Sequence, residues 1–381
     1  ITNFSPLFLD GKYYEIARVV KPKSNLYEHL KWNNPAFSQY IDNQDSIVLD
    51  KEESTPIGIN NQGQTVYDSV TRVYNQYEAE YFAISKEYRN LAATLVIPDS
   101  SSYNAALDEM ALSLGGKYIS HKHIPVDWEN EVLVPILLKK GIFGGLLDPE
   151  DFLRNKMANI RGDSIIKDFN IDPYSRRICS NGLIYNYESF SVGDSLYKEY
   201  VIEAETLCDT IGLNQYAWDE EKVEVEGNQS FQPVKQSVTG ASNDTILNVD
   251  FERNYQQKYA VTFKIKHVFP SKYRLVWRTN YRTTGLFAIY VNGERIKLGF
   301  NPENPETGRY EEYDTYNLRK WFFSVLGYRL YPDKNGFCLV DGYVTNITEY
   351  GNVTIRMEYL GPGNASDNGL NMDYIALYAQ D

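Results

Sequence analysis

Cysteine, histidine and methionine are scarce in this chain, which has three Cys, four His and four Met among 381 residues. Cys179, Cys208 and Cys338 lie far apart and in no CxxC or Cys/His spacing. That excludes a zinc knuckle and a dense disulfide framework, and it leaves small, partly buried thiols as the expectation. Also missing are a GxSxG elbow, a glycine-rich phosphate loop and any run of 18 apolar residues. The greasiest stretch, 132–147, is broken by Pro135, Lys139 and Lys140. Positive charge is short as well: 38 Lys and Arg against 51 Asp and Glu give a net charge of −13. No nucleic-acid partner is expected, because phosphate binding needs a dense positive surface.

Tyrosine, by contrast, is abundant, at 32 residues. It is a strand former with an apolar body and a polar tip, so it predicts a β-rich chain with rings placed at surfaces or sites. The length exceeds one ordinary domain of roughly 100–200 residues, and two domains are expected, 1–194 and 195–381. In the first, 24–45 reads as two short helices broken at Asn33-Asn34-Pro35, with Ser24 as a cap and Leu26, Leu30, Phe37 and Ile41 at near-helical spacing. Residues 69–91 are mixed, with a helix toward the end. Thr94–Ile97 reads as a strand that Pro98 ends, because proline cannot donate to a ladder. Asp99 or Ser100 then caps a helix on which Tyr103, Leu107, Met110 and Leu114 share a face. A helix near 131–140 and a hairpin at Asn181-Gly182 complete an α+β pattern.

Beyond Ser195 the helical signals thin out. Strand-like runs at 198–207, 258–269, 273–281, 286–298, 337–347, 351–361 and 372–379 predict an all-β sandwich, with 227–246 as a long polar loop. Trp277 alternates in phase with Tyr273 and Leu275 and is expected in the core. Glu203 and Glu205, two apart on a strand, project from one face. Such oxygen donors suit calcium, and an exposed acidic face without metal is the alternative. His121-Lys122-His123 puts two imidazoles at strand spacing, but two ligands make no zinc site and only His29 and His267 remain. A sugar site would pair flat rings with amides. The candidate loop rings are Tyr216, Trp218, Tyr281, Trp321, Tyr343 and Tyr350.

The segments 25–41, 94–107 and 180–190 give the first domain a resemblance to fasciclin-type (FAS1) domains over about 20–193, although Ile136–Lys140 stand where that family carries a Tyr-His pair. The phrases VIEAETL (201–207), YRLVWRTNY (273–281) and NGLNMDYIALY (368–378) resemble galactose-binding-like sandwiches among carbohydrate-binding modules. That second resemblance implies a jelly-roll fold, a structural calcium held by Glu203, Glu205 and Asp373, and Asn371 as a hydrogen-bonding residue to sugar. The pairing resembles proteins that Bacteroidetes anchor outside the cell beside glycan-uptake machinery. The chain opens on Ile1 without Met, so a processed signal upstream is expected, with a lipid anchor as its only link to the membrane. The expected function is glycan binding or adhesion at the cell surface without catalysis. The alternatives are a spacer or protein-partner module with an empty sandwich, and a glycoside hydrolase or its accessory.

Overall fold

In the computed structural model the described residues are 3–4, 14–15, 23–50, 53–68, 70–77, 92–153, 157–159, 164–165, 171–228, 230–280, 286–295, 313–314, 337–361 and 368–380. Asn25, rather than Ser24, caps the first helix. Its side chain accepts from the Glu28 amide at 2.7 Å, and Glu28 Oε2 accepts from the Asn25 N–H at 2.9 Å. This reciprocal box satisfies two amides that the first turn would otherwise leave unpaired. Helix α1 (Leu26–Asn33) stops at Asn34, and Pro35, whose fixed φ suits a first turn, starts α2 (Pro35–Asp42). Leu26, Leu30, Phe37 and Ile41 are buried, as their spacing predicts.

The chain then runs through β1 (Asp45–Leu49), β2 (Thr55–Ile59), β3 (Thr65–Asp68) and β4 (Thr71–Asn75). Strand β1 pairs with β4 and β2 with β3, in two-stranded ribbons that leave Ile47 78% and Ile59 74% exposed. The helix expected toward the end of 69–91 falls on 78–91, outside the described residues.

Strands β5 (Ala93–Ile97), β6 (Ile142–Gly144), β7 (Ile171–Cys179) and β8 (Gly182–Tyr187) form one sheet in the order β7-β8-β5-β6, with β5 and β8 parallel. Every residue of β5 is buried, which suits a strand covered on both faces. Asp99 caps α3 (Ser100–Leu114) by accepting from the Ser102 amide at 2.7 Å, and Tyr103, Leu107 and Met110 are buried. Helix α4 (Val134–Lys140) follows a π turn over Glu129–Leu133. Asn181 ties α1 to this sheet: its Oδ1 accepts from the Leu26 amide at 2.8 Å, and its carbonyl accepts from Ala93 N at 3.2 Å. At Gly182 a Cβ would sit 2.1 Å from the Ala93 carbonyl oxygen and 2.9 Å from Leu26 Cδ1. Gly182→Ala is therefore expected to cost about 2–3 kcal/mol through overpacking, read as a lower urea midpoint with the slope unchanged.

The chain divides into two compact units, Ile1–Val192 and Gly193–Asp381. The second contains β9 (Glu199–Glu203), β10 (Cys208–Gly212), β11 (Gln215–Trp218), β12 (Val223–Gly227), β13 (Val234–Ser237), β14 (Thr245–Asp250), β15 (Tyr259–Val268), β16 (Ser271–Asn280), β17 (Leu286–Val291), β18 (Phe337–Ile347), β19 (Gly351–Gly361), β20 (Gly369–Met372) and β21 (Tyr374–Ala379). One sheet has the order β9-β21-β16-β18, a second β12-β15-β19-β17, and a third β13-β14-β20, while β10 and β11 form a hairpin. Alternate residues of the first two sheets meet in one core. Tyr273, Leu275, Trp277, Ile375 and Leu377 come from one sheet, and Val261, Phe263, Phe287, Ile355 and Met357 from the other. Trp277 is 1% exposed, as its phase predicts. The long loop expected over 227–246 is corrected: it holds β13 and the start of β14, a short edge strand whose pairing with its neighbour outweighs a weak local pattern.

Candidate functional site

The acidic motif and the end of the chain meet at one polar junction. Strand β9 ends at Glu203, and Ala204–Leu207 is a 3₁₀ turn, so Glu205 does not share a strand face with Glu203 as its spacing suggested. Both carboxylates nevertheless reach the loop before β14. Glu203 Oε1 accepts from Ser242 Oγ at 2.9 Å, and Glu205 Oε1 accepts from Asn243 Nδ2 at 3.0 Å. Asn243 and Asp244 have φ of 49° and 51°, a left-handed pair that turns this loop toward the acids. Asp373 is fully buried. Its Oδ1 accepts from the Ser242 amide at 2.8 Å, and its Oδ2 is bound by the Arg278 guanidinium. Arg278 also donates to the Gly240 carbonyl at 2.8 Å and lies 4.5 Å over the Phe337 ring. Burial pushes the Asp373 carboxyl up, and the Ser242 amide and Arg278 pull it back.

The expected metal triad is therefore not assembled. Asp373 is engaged with Arg278 and Ser242, and among the described residues no three His, Cys, Asp or Glu side chains could hold a metal ion. Glu203 Oε2 and Glu205 Oε2, however, are each buried with no hydrogen-bond partner. Two orphaned carboxylate oxygens beside a loop are an arrangement that a hard cation satisfies.

Asn371 is 1% exposed, so it does not line an open cleft. Its amide donates to Asn248 Oδ1 at 3.0 Å, and Asn248 in turn donates to Asp250 Oδ1 at 2.7 Å. The result is a polar ladder from the interior to the exposed end of β14. The candidate rings do not gather around it. Tyr216 and Trp218 sit on β11 against the core, with the Lys235 ammonium 5.5 Å over the Tyr216 ring. Lys235 pairs with Leu247 whereas Val234 pairs with Asn248, so Tyr216 is reached from the face opposite Asn371. Tyr350 packs on Phe269 at 5.0 Å and meets His267 Nδ1 at 2.6 Å. Tyr343 occupies the register position opposite Leu275 on β18, and Tyr281 and Trp321 lie outside the described residues.

A different pair of rings does share a surface. On β21, Ile375 and Leu377 point into the core, so Tyr374, Ala376 and Tyr378 share the other face, on which Ala376 is itself buried. The strand register sets three rows across this face: Glu199, Tyr378 and Arg274; Val201, Ala376 and Val276; Glu203, Tyr374 and Arg278. Both tyrosines are half-buried, and the Arg274 guanidinium lies 5.8 Å over the Tyr378 ring. Four residues of strand separate their Cα atoms by about 13 Å. The Tyr374 phenol is raised by burial and by Tyr378 beside it, which keeps it a neutral donor and acceptor. The signal was in NMDYIALY, where two tyrosines are out of phase with Ile375 and Leu377. Neither ring lies in a loop, where the expectation placed the sugar-binding rings.

The His121 motif is also corrected. His121–His123 is a 3₁₀ turn rather than a strand, with His121 Nδ1 2.8 Å from Asp108 Oδ1 and His123 Nδ1 3.1 Å from Ser120 Oγ. Cys179 and Cys208 are free, buried thiols pushed up to about 11 by desolvation. Neither presents a thiolate. No helix among the described residues is long and apolar enough to cross a membrane.

No family model matches the chain, and no curated protein does. Among solved structures, it is similar to a family 35 carbohydrate binding module from Clostridium thermocellum, at 14% identity over 48% of this chain and 98% of that one, with a TM-score of 0.26. It is likewise similar to CBM35 from Paenibacillus barcinonensis, at 16% identity over 48% and 99%, with a TM-score of 0.27. A third is CsCBM6-3 from Clostridium stercorarium, solved with cellobiose, at 10% identity over 48% and 94%, with a TM-score of 0.23. What the sandwich can do rests on its own side chains.

Proposed function

We propose that this chain is a non-catalytic glycan-binding protein of the cell surface whose binding face is the outer side of the β9-β21-β16-β18 sheet. One observation carries the reading: Tyr374 and Tyr378 lie on one sheet face on either side of the buried Ala376, with Arg274 and Glu199 in the Tyr378 row. Two rings carried on one strand, with Cα atoms about 13 Å apart, can cover the apolar faces of consecutive sugar units, while guanidinium and carboxylate groups bond the hydroxyls. The two glutamates and Asp373 are held by Ser242, Asn243 and Arg278, an arrangement suited to structure rather than to acid–base work. Electrophoresis of the full chain through gels containing soluble xylan, galactan, glucan or pectin tests the reading. Retardation by at least one polysaccharide supports it, and unchanged mobility in all of them rejects it.

A structural calcium belongs to the same reading, held by the orphaned oxygens of Glu203 and Glu205. Its contribution would be to neutralise these buried carboxylates, with no open position for chemistry. Millimolar CaCl₂ is expected to raise the melting temperature of the wild-type chain, through a stabilisation of about 3 kcal/mol at a hundredfold excess over Kd. Glu203→Gln with Glu205→Gln should lose that response. No calcium-dependent shift in the wild type rejects the ion.

The first unit is read as fasciclin-like, supported by the buried β5, the Asp99-capped α3 and the parallel pairing of β5 with β8. Anchoring through a lipid upstream completes the reading, and external protease on intact cells tests it. A second reading, a spacer or protein-partner module, is favoured by the burial of Asn371. It expects no glycan to bind.

A further inference from the structure

The first unit has an open cleft of about 680 Å³ between the end of α2 and the segment 126–139. That volume lies within the range of small-ligand sites, roughly 300–1,000 Å³. Its lining is chemically mixed, with Tyr40, the amide residues Asn43, Gln44 and Asn130, the acids Asp127 and Glu131, and one cation, Lys139. Val126, 64% exposed, adds apolar surface at the same place.

Two features give this wall a defined shape. The Tyr40 ring meets Tyr77 edge-on at 6.0 Å, and the Tyr77 hydroxyl donates to the Leu138 carbonyl at 3.1 Å, so the ring is set by packing. Asn130 and Glu131 are presented by the π turn, an insertion within a helix that is rare and recurs at functional sites. The turn directs Glu129 inward, where its Oε2 accepts from the Tyr103 hydroxyl at 2.8 Å, while the next two residues line the cleft. Burial pushes the Glu129 carboxyl up, and the Tyr103 bond opposes this.

Carboxamides offer a donor and an acceptor side by side, which matches neighbouring hydroxyls on a pyranose. A flat ring covers the apolar face of such a sugar, the carboxylates of Asp127 and Glu131 accept hydroxyl hydrogens, and the Lys139 ammonium donates to hydroxyl oxygens. We propose that this cleft is a saccharide site for a neutral mono- or disaccharide, distinct from the sandwich face and independent of it.

The test uses the full chain carrying Tyr374→Ala and Tyr378→Ala, so that the sandwich face is silenced. Saturation-transfer NMR is recorded with glucose, galactose, mannose, xylose and cellobiose. At least one sugar is expected to give transfer in this background, with at least a tenfold loss on adding Tyr40→Ala and Asn130→Ala, and with the signal kept when Tyr40→Phe is added instead. Melting temperatures matched between variants identify the loss as one of binding. Absence of transfer in the silenced background, or transfer that survives Tyr40→Ala and Asn130→Ala, overturns the inference. Failure of the sandwich reading is seen separately, as polysaccharide retardation that is the same in the wild type and the Tyr374→Ala, Tyr378→Ala variant.

Discussion

Replacing Tyr374 and Tyr378 together by Ala is expected to weaken binding to any polysaccharide that retards the wild-type chain by about a hundredfold. Each stacked ring contributes about 1.4 kcal/mol beyond simple burial, and each such step is a factor of ten. Isothermal titration against the retarding polysaccharide reads the change directly. Tyr374→Phe with Tyr378→Phe keeps both rings and removes only the hydroxyls, so it should retain most of the affinity. Both rings border the buried Ala376, so the double Ala variant is expected to lose some stability as well, and its affinity is measured at a temperature where its melting curve shows it folded. A double Ala variant that binds like the wild type would show that the sugar, if it binds, uses another surface. Arg274→Ala should have a smaller effect, because its guanidinium acts partly by covering the Tyr378 ring.

Arg278→Met is expected to destabilise the sandwich by about 3–5 kcal/mol at pH 7, because it leaves the Asp373 carboxylate buried without its cation. Met retains much of the packing over Phe337, so the loss reports charge more than volume. The pH dependence has a defined sign. Burial already raises the Asp373 carboxyl, and removing Arg278 takes away a cause that lowers it. A folded-state value above the unfolded one favours the fold when the group is protonated, and that contribution is lost as pH rises from the unfolded value through the folded one. The deficit of Arg278→Met should therefore be largest near neutrality and shrink toward pH 4. Adding Asp373→Asn should recover much of the loss, since the coupled pair is non-additive. Urea titrations at pH 4, 5.5 and 7 measure all three outcomes. An equal deficit at every pH would mean that the pair is not what Arg278 contributes.

Much of this architecture could be read from residues whose local chemistry is strong. Pro35 after two asparagines separated the first two helices, and Pro98-Asp99 marked the end of β5 and the cap of α3. The alternation in 258–269, 273–281 and 351–361 was long enough to place β15, β16 and β19, together with the burial of Trp277. Short strands escaped for a physical reason. Val234–Ser237 and Gly369–Met372 have four residues each, and their extended form comes from pairing with β14 rather than from their own pattern. The same limit affected the site. Spacing put Glu203 and Glu205 on one strand, but the chain turns at Ala204, and only the loop at Ser242 and Asn243 brings the two carboxylates to one place. Arg278, which engages Asp373, is 95 residues away in sequence and gave no local sign. Asn371 was identified by resemblance, but the structure buries it behind Asn248. The two rings on the outer sheet face were legible from phase alone, since Tyr374 and Tyr378 alternate against core residues in a single strand.

Hydrogen–deuterium exchange on the full chain, with and without the polysaccharide that retards it most, tests the central claim most directly. The expected result is slower exchange confined to peptides covering 199–203, 271–280 and 374–379 in the sandwich, with any further protection limited to the first-unit cleft around 40–44 and 126–139. Protection elsewhere in the sandwich with none on these three strands, or no protection at saturating polysaccharide, would contradict it.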